Sequence, residues 1–173
     1  MASGVKYVIA FASAFALMLA VRTLIVSVHG VTGNGLAPLY KDGDCLLINR
    51  CSYGVRIEGN RLLPYSRLMR QPVQRGDIVA FEIPNDETTA TAALQPGLMI
   101  ARCKAIPGDT LRTDKGTVTI PGLANCDKED CYWLEAINEQ NPADSRYLGF
   151  IPERCIIGRV VTVLYNRKNI RLQ

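Results

Sequence analysis

Residues Ile100–Asp109 read IARCKAIPGD, an apolar strand-like segment that ends in a Pro-Gly-Asp turn. Glycine accepts a positive φ angle and an aspartate side chain can hydrogen-bond the backbone just ahead, so a Gly-Asp pair turns the chain sharply. The same pair recurs in Asp42–Asp44 and Arg75–Asp77, each time before an apolar run. Repeated sharp turns into short apolar runs indicate a domain built from short β-strands.

The rest of the chain after residue 30 has the same pattern. Its strand-like segments are short, rich in β-branched or aromatic residues, and bounded by Gly, Pro, Asn or Asp. They are Cys45–Ile48, Asp77–Ile83, Met99–Ile100, Thr117–Ile120, Cys131–Leu134 and Gly158–Tyr165. No segment after the N-terminal region predicts a long helix, so we expect an all-β domain.

Composition limits the classes of protein to consider. The 173 residues are 48% apolar and 21% charged, which suits a single domain with a hydrophobic core. The net charge is +4, and the Lys and Arg residues are scattered along the sequence. This pattern gives no support for a nucleic-acid partner, whereas a surface near anionic lipid would suit it.

The most apolar run is Tyr7–Val21, which lies between Lys6 and Arg22 and contains no charge. It is shorter than the about 20 residues that span a bilayer, but the flanking cations can reach the interfaces and apolar sequence resumes after the arginine. We predict a membrane anchor over residues 1–28, with a cytoplasmic N-terminus, and an extracytoplasmic domain over residues 29–173. A cleavable signal peptide is the alternative, although its small-residue motif lies inside the apolar run.

Cysteine usage bears on the compartment, because disulfides persist in oxidising surroundings. Cys126 and Cys131 are close together in a loop-like segment, and their spacing predicts a disulfide. A zinc site is the alternative, but it needs four ligands, and the sequence offers one His and no second loop-like Cys pair. Cys45, Cys103 and Cys155 instead lie in apolar, strand-like runs, which predicts that they are small buried core residues.

Further fragments follow one another in a fixed order around the opening stretch. They are Val21–Ile25, Gly33–Pro38, Asp42–Ile48, Arg75–Phe81, Asp144–Pro152 and Gly158–Arg159. With the opening stretch, they resemble the ordered boxes of type I signal peptidases from about residue 19 to residue 165. The resemblance implies a signal-peptidase-like β-fold behind one N-terminal transmembrane helix. The short length is similar to that of the compact conjugative-transfer signal peptidases that process pilins.

The chemistry of that family is a serine nucleophile activated by a neutral lysine, whose pKa an apolar site lowers. When the family's boxes are matched to this sequence, the nucleophile position falls on Gly35 and the general-base position on Ala101. Neither residue can attack a carbonyl or accept a proton. Gly33, at the position of a serine that helps form the oxyanion hole in some members, and Pro142, at that of a supporting serine, also depart from the pattern. The resemblance implies no metal and no cofactor.

No nearby residue replaces the missing pair. Thr32 and Lys104 each lie three residues from a dyad position, and on extended backbone that spacing points to opposite faces. Natural divergence and substitution of an active parent would both produce this pattern. The departures at Gly33 and Pro142 favour divergence.

The resemblance also implies that two strand edges hold the precursor as an added β-strand. These edges are Val28–Asn34 and Leu98–Ile100. In the last box, which begins at Asp144, the spacing of Asp144 and Arg146 suits either an ion pair that stiffens the box or a solvated surface pair. Leu36 and Pro38 suit either contact with the membrane surface or ordinary packing. The residues assigned to substrate binding are Asn34, Leu36, Pro38, Leu98, Met99 and Ile100.

Two functions remain open. The first is an inner-membrane protein of the signal peptidase family, a serine endopeptidase family, built to cut secreted or pilin precursors after small residues but silent in this form. The second is a non-catalytic pseudopeptidase that binds precursor segments in secretion or pilus assembly. The expected partners are a signal peptide or pilin precursor and membrane lipid. A self-cleaving repressor, which shares the Ser-Lys β-fold, is disfavoured by the N-terminal apolar segment.

Overall fold

The computed structural model describes residues 2–57, 65–82, 97–113, 116–123, 129–140 and 144–168. Helix α1 spans Ala2–Ile25 and is followed without a loop by the first strand. Its Ala- and Leu-rich sequence favours a helix, and Arg22 in its last turn complements the helix dipole. No helix in these ranges combines the length and hydropathy needed to cross a membrane. The sheet begins at Val26, ahead of the predicted domain start at residue 29.

Eleven strands follow within the described residues, most of them short. They are β1 (Val26–Gly30), β2 (Asp44–Asn49), β3 (Val55–Ile57), β4 (Ser66–Leu68), β5 (Ile78–Glu82), β6 (Leu98–Ala105), β7 (Thr110–Thr113), β8 (Gly116–Thr119), β9 (Cys131–Ala136), β10 (Ile151–Pro152) and β11 (Ile156–Asn166). A short helix α2 (Ser145–Leu148) and a 3-10 turn (Glu153–Cys155) separate the last three strands. The prediction of a mostly β domain is confirmed.

Seven strands form one antiparallel sheet in the order β1-β2-β11-β5-β6-β9-β10. The pairs β3–β4 and β7–β8 form two separate hairpins. β11 crosses the middle of the sheet, where Gly158 lies so close to β2 that an added Cβ would stand 2.3 Å from the Asn49 carbonyl oxygen. The centre of the sheet therefore depends on a residue without a side chain.

Two clusters of buried side chains cover the two faces of the sheet. The first core cluster contains Val79, Phe81, Ala101, Cys103 and Leu134. The second core cluster contains Leu46, Ile48, Ala80, Ile100 and Val160. Because side chains alternate along a strand, neighbouring residues of β5 and β6 enter different clusters.

The cysteine predictions have two outcomes. Cys45, Cys103 and Cys155 are buried, as expected. Burial, with a smaller contribution from the Asp77 charge, raises the pKa of Cys103 to about 12, so this thiol stays protonated at neutral pH. Cys126 lies outside the described residues, so its disulfide with Cys131 stays a prediction.

Candidate functional site

The two strand edges assigned to peptide binding each have a strand partner on one side only within the described residues. β1 is the first strand of the sheet and pairs with β2 alone. β6 pairs with β5 from Leu98 onward, but with β9 only from Ala101 onward. The Leu98–Ile100 backbone therefore extends beyond the end of β9. Backbone groups at such an edge are available to an added strand.

Both edges border the second core cluster. Val31, just after β1, is buried in this cluster, and Leu98 and Ile100 of β6 contribute to it from the other side. Leu36 packs against the same cluster, half-buried, and Pro38 is exposed. Packing therefore accounts for Leu36, one of the two alternatives for that residue.

Ala101, which the resemblance assigns to the general-base position, occupies the opposite face. Its side chain is fully buried in the first core cluster, and its register partners are Val79 on β5 and Ala136 on β9. Met99, two residues earlier on β6, also packs against this cluster. The position is apolar and closed to solvent, but it carries a methyl group instead of an amine.

The loop around Gly35, the predicted nucleophile position, is called the nucleophile loop below. It is half-buried at Gly35 and exposed at Gly33. The Gly33 amide donates to Asp42 Oδ1 at 3.1 Å, and its φ angle is +77°. A serine would be strained in this conformation, so the local turn accounts for glycine at the supporting position.

Three of the boxes meet at the end of β9. Ala136 faces Ala101 across the sheet, and its amide donates to Asp144 Oδ2 at 3.1 Å. Two residues later, Asn138 Nδ2 donates to the Asn34 carbonyl at 3.0 Å. The end of β9 therefore connects the nucleophile loop, the general-base position and the last box. The sequence did not single out Asn138 as a site residue, because it lies in a polar segment without a motif.

The last box docks on β9 through its side chains. Asp144 is fully buried and accepts hydrogen bonds from Arg146 N at 2.9 Å and Arg146 Nε at 2.7 Å. Asp144 and Arg146 therefore form an ion pair, in which the carboxylate is buried. Ser145 Oγ accepts from Leu134 N at 2.8 Å. Pro142 lies outside the described residues.

Neither candidate replacement is placed to restore the dyad. Thr32 is exposed in the loop after β1. Lys104 is exposed and lies 3.7 Å from Glu135 Oε2, so it lacks the apolar enclosure that Ala101 has in the first core cluster. Cys103, buried in the first core cluster on the same face as Ala101, is a protonated thiol at neutral pH.

A cleft of about 480 Å³ lies beside the nucleophile loop. Pro38 and Leu39 form one wall, and Arg102, Lys104 and Glu135–Ile137 supply the rest of its lining. Ile137 also packs against the second core cluster, so the cleft continues from the face that Leu98 and Ile100 occupy. Sequence reasoning used Arg102 only to recognise the box and did not assign it to a site.

The sequence matches the family described as "Signal peptidase, peptidase S26" over residues 4–125. This chain belongs to that family. The match covers the nucleophile loop and the general-base stretch, so the positions compared above lie within it. The family assignment made from the ordered boxes is confirmed.

Curated relatives agree with the family. The chain is similar to the probable signal peptidase I-2 of Synechocystis sp., with 25% identity over 85% of this chain and 66% of the relative. It is 24% identical to signal peptidase I of Leptolyngbya laminosa over 84% of this chain and 71% of the relative. With signal peptidase I of Pseudomonas aeruginosa it shares 26% identity over 64% of this chain and 35% of that protein. The chain thus spans about two thirds of the cyanobacterial relatives and about a third of the Pseudomonas protein.

Proposed function

We propose that this signal peptidase family member recognises extended precursor segments and holds them without cutting them. The observation that carries the proposal is Ala101, fully buried at the general-base position beside an open strand edge. The recognition edge is present and the base is absent. Family membership and the names of the relatives support a substrate that carries a signal peptide.

The loss of activity follows from the chemistry of the two positions. A hydroxyl attacks a peptide carbonyl only when a base removes its proton, and Gly35 offers no hydroxyl. Ala101 has no group that could accept the proton, and Lys104 faces the cleft with Glu135 nearby. Without both groups, the family mechanism has neither its nucleophile nor its base.

Binding requires only the parts that remain. An extended peptide can pair with the outer edge of β1 and with Leu98–Ile100, and main-chain hydrogen bonds then supply affinity without a catalytic group. The second core cluster, with Leu36 at its rim, offers an apolar floor for small side chains. Asn34 and Pro38 lie in the same loop as Leu36.

We further propose that the N-terminal segment around α1 anchors the chain in the cytoplasmic membrane, with the β-domain outside, although the described part of α1 does not by itself reach the length and hydropathy of a span. Support comes from its exposed apolar side chains, which lie on several sides of the helix and include Tyr7, Phe11, Phe15 and Leu17. Such side chains favour lipid over water. Pilin precursors are one class of substrate consistent with a compact member of the family.

A cleavage and binding assay tests the proposal. Membranes containing the full-length chain are mixed with a precursor peptide that has an apolar stretch and an Ala-x-Ala motif. We expect binding without cleavage from the chain as it stands. Cleavage by the Gly35→Ser/Ala101→Lys double variant would show that a lysine at position 101 reaches the nucleophile loop from the first core cluster. The single variants Gly35→Ser and Ala101→Lys are the matched controls and should stay silent, because the mechanism needs both groups.

Two results would contradict the proposal. Cleavage by the unmodified chain would show that another residue supplies the chemistry. Failure of the unmodified chain to retain the peptide would remove the holding function. An inert double variant together with binding by the unmodified chain would favour a dedicated binding factor over a peptidase scaffold that has lost its dyad.

A further inference from the structure

The cleft beside the nucleophile loop has an unbalanced charge. Arg102 and Lys104 contribute two positive charges from β6, and Glu135 contributes one negative charge from β9. The cleft is concave and open to solvent, so a ligand can enter it. Its wall at Pro38 and Leu39 belongs to the loop that carries the nucleophile position.

Within the part of the chain that the structure describes, no hydrogen bond or ion pair is found for the Arg102 guanidinium, although its charge acts on Tyr40, where it opposes the rise in pKa that burial causes. The Lys104–Glu135 pair is long, at 3.7 Å, and the lysine side chain is 56% exposed. Glu135 also accepts a hydrogen bond from Trp133 Nε1 at 3.3 Å, so its carboxylate is shared between Trp133 and Lys104. Arg102 is therefore the cation in the cleft that is ready for an incoming carboxylate.

The path of a bound peptide leads to this cation. A segment added along Leu98–Ile100 meets the end of β9 at Ala101, where Ala136 already occupies the edge of β6. The peptide must leave the plane of the sheet at this point. The face at Ala101 is closed by the first core cluster, whereas the opposite face opens into the cleft.

We infer that the cleft is a subsite for acidic side chains in the precursor, just after the small-residue recognition segment, with Arg102 as its principal contact. The inference rests on the proposed holding function. Arginine suits the role because its planar guanidinium can bind a carboxylate through two parallel hydrogen bonds. Lys104 adds a second, more mobile charge, and Glu135 reduces the attraction.

Two synthetic peptides test the subsite with the full-length chain in detergent micelles. Both carry the same apolar stretch and Ala-x-Ala motif, followed in one by Asp and Glu residues and in the other by Asn and Gln. We expect the acidic peptide to bind roughly tenfold more tightly, which is the scale of one charge-assisted contact. The difference should shrink as salt is added.

Matched variants separate the subsite from the net charge of the protein. Arg102→Gln should abolish the preference for the acidic peptide, so that the two peptides bind with equal affinity. Arg112→Gln removes an equal charge from an exposed position on β7 and should preserve the preference. Glu135→Gln should increase it, because the carboxylate that competes for the cations is gone.

Each outcome bears on the inference. Equal affinities for the two peptides would overturn the subsite while leaving the holding function intact. An equal loss of preference in Arg102→Gln and Arg112→Gln would assign the effect to overall charge and also overturn the subsite. If neither peptide binds, both the holding function and the subsite fail.

Discussion

Ala101 lies in surroundings that would keep a lysine neutral. It is fully buried among Val79, Phe81 and Leu134, and a charged amine in such a position loses its hydration. Burial of this kind lowers the pKa of a lysine, which is the condition under which an amine can act as a base. If position 101 is the general-base position, as the resemblance implies, its surroundings would favour a neutral amine, although the amine is absent.

Ala101→Lys should therefore make stability depend on pH. The pKa of a buried lysine falls below its value of about 10.4 in the unfolded chain, so the unfolded state binds the extra proton between those two values. The free energy of unfolding should then rise with pH in that window, by about 1.4 kcal/mol per unit, and be lowest below it. Urea unfolding from pH 6 to pH 10 measures this slope.

Ala101→Met is the matched control, since it adds a similar length without a charge. We expect it to destabilise the protein by about 1–3 kcal/mol through overpacking, independently of pH. Parallel pH profiles for the two variants would show that position 101 does not bury the lysine.

At the scale of elements, β9 organises the site although no motif marked it. Its backbone meets Ala101 on one side and receives the side chains of Asp144 and Ser145 on the other. The last box thus continues the edge of β9 with side-chain oxygens before β10 pairs with it at Ile151. Buried backbone amides must find acceptors, and these two side chains supply them.

The close approach of β11 to its neighbour β2 at Gly158 gives a specific prediction. Gly158→Ala places a methyl group 2.3 Å from Asn49 O and 2.9 Å from Arg50 Cα, and both obstacles are backbone atoms. We expect a loss of about 3 kcal/mol in the free energy of unfolding, because two strands must move apart.

Gly30→Ala in β1 is the control for a strand glycine. An added Cβ there meets only the Arg167 side chain, at 3.9 Å, so the change should stay within about 0.5 kcal/mol. Chemical denaturation of both variants provides the comparison. Equal stabilities would mean that β11 and β2 are not as close as the structure places them.

For the whole molecule, the proposed binding mode predicts where a peptide slows backbone hydrogen exchange. Adding the Ala-x-Ala peptide to the full-length chain should increase protection in β1 and in Leu98–Ile100, because edge amides gain partners. The β7–β8 hairpin, which forms a separate sheet, is the internal control and should not change. Protection gained instead at β10, the opposite edge of the sheet, would contradict this mode.

Much of the architecture could be predicted from the sequence because its signals are local. Gly-Asp turns and β-branched runs marked most strands, and the apolar setting of Cys45 predicted its burial. The end of β9 relative to β6 could not be predicted, because register depends on partners distant in sequence. The same is true of Asn138, whose contact with Asn34 joins segments 104 residues apart. The cleft was missed because Arg102 and Glu135 meet only through that register.

The unequal lengths of β6 and β9 limit how long a peptide segment can pair with β6. β6 begins three residues before the point where β9 joins it, at Leu98 against Ala101. At about 3.3 Å per residue, the free edge is about 10 Å long. A guest strand can form a ladder with β6 for that distance and no further, which is the span of a motif such as Ala-x-Ala. In the proposed binding mode, the end of β9 sets the length of the recognised segment, and a one-residue extension of β9 would shorten the motif that fits.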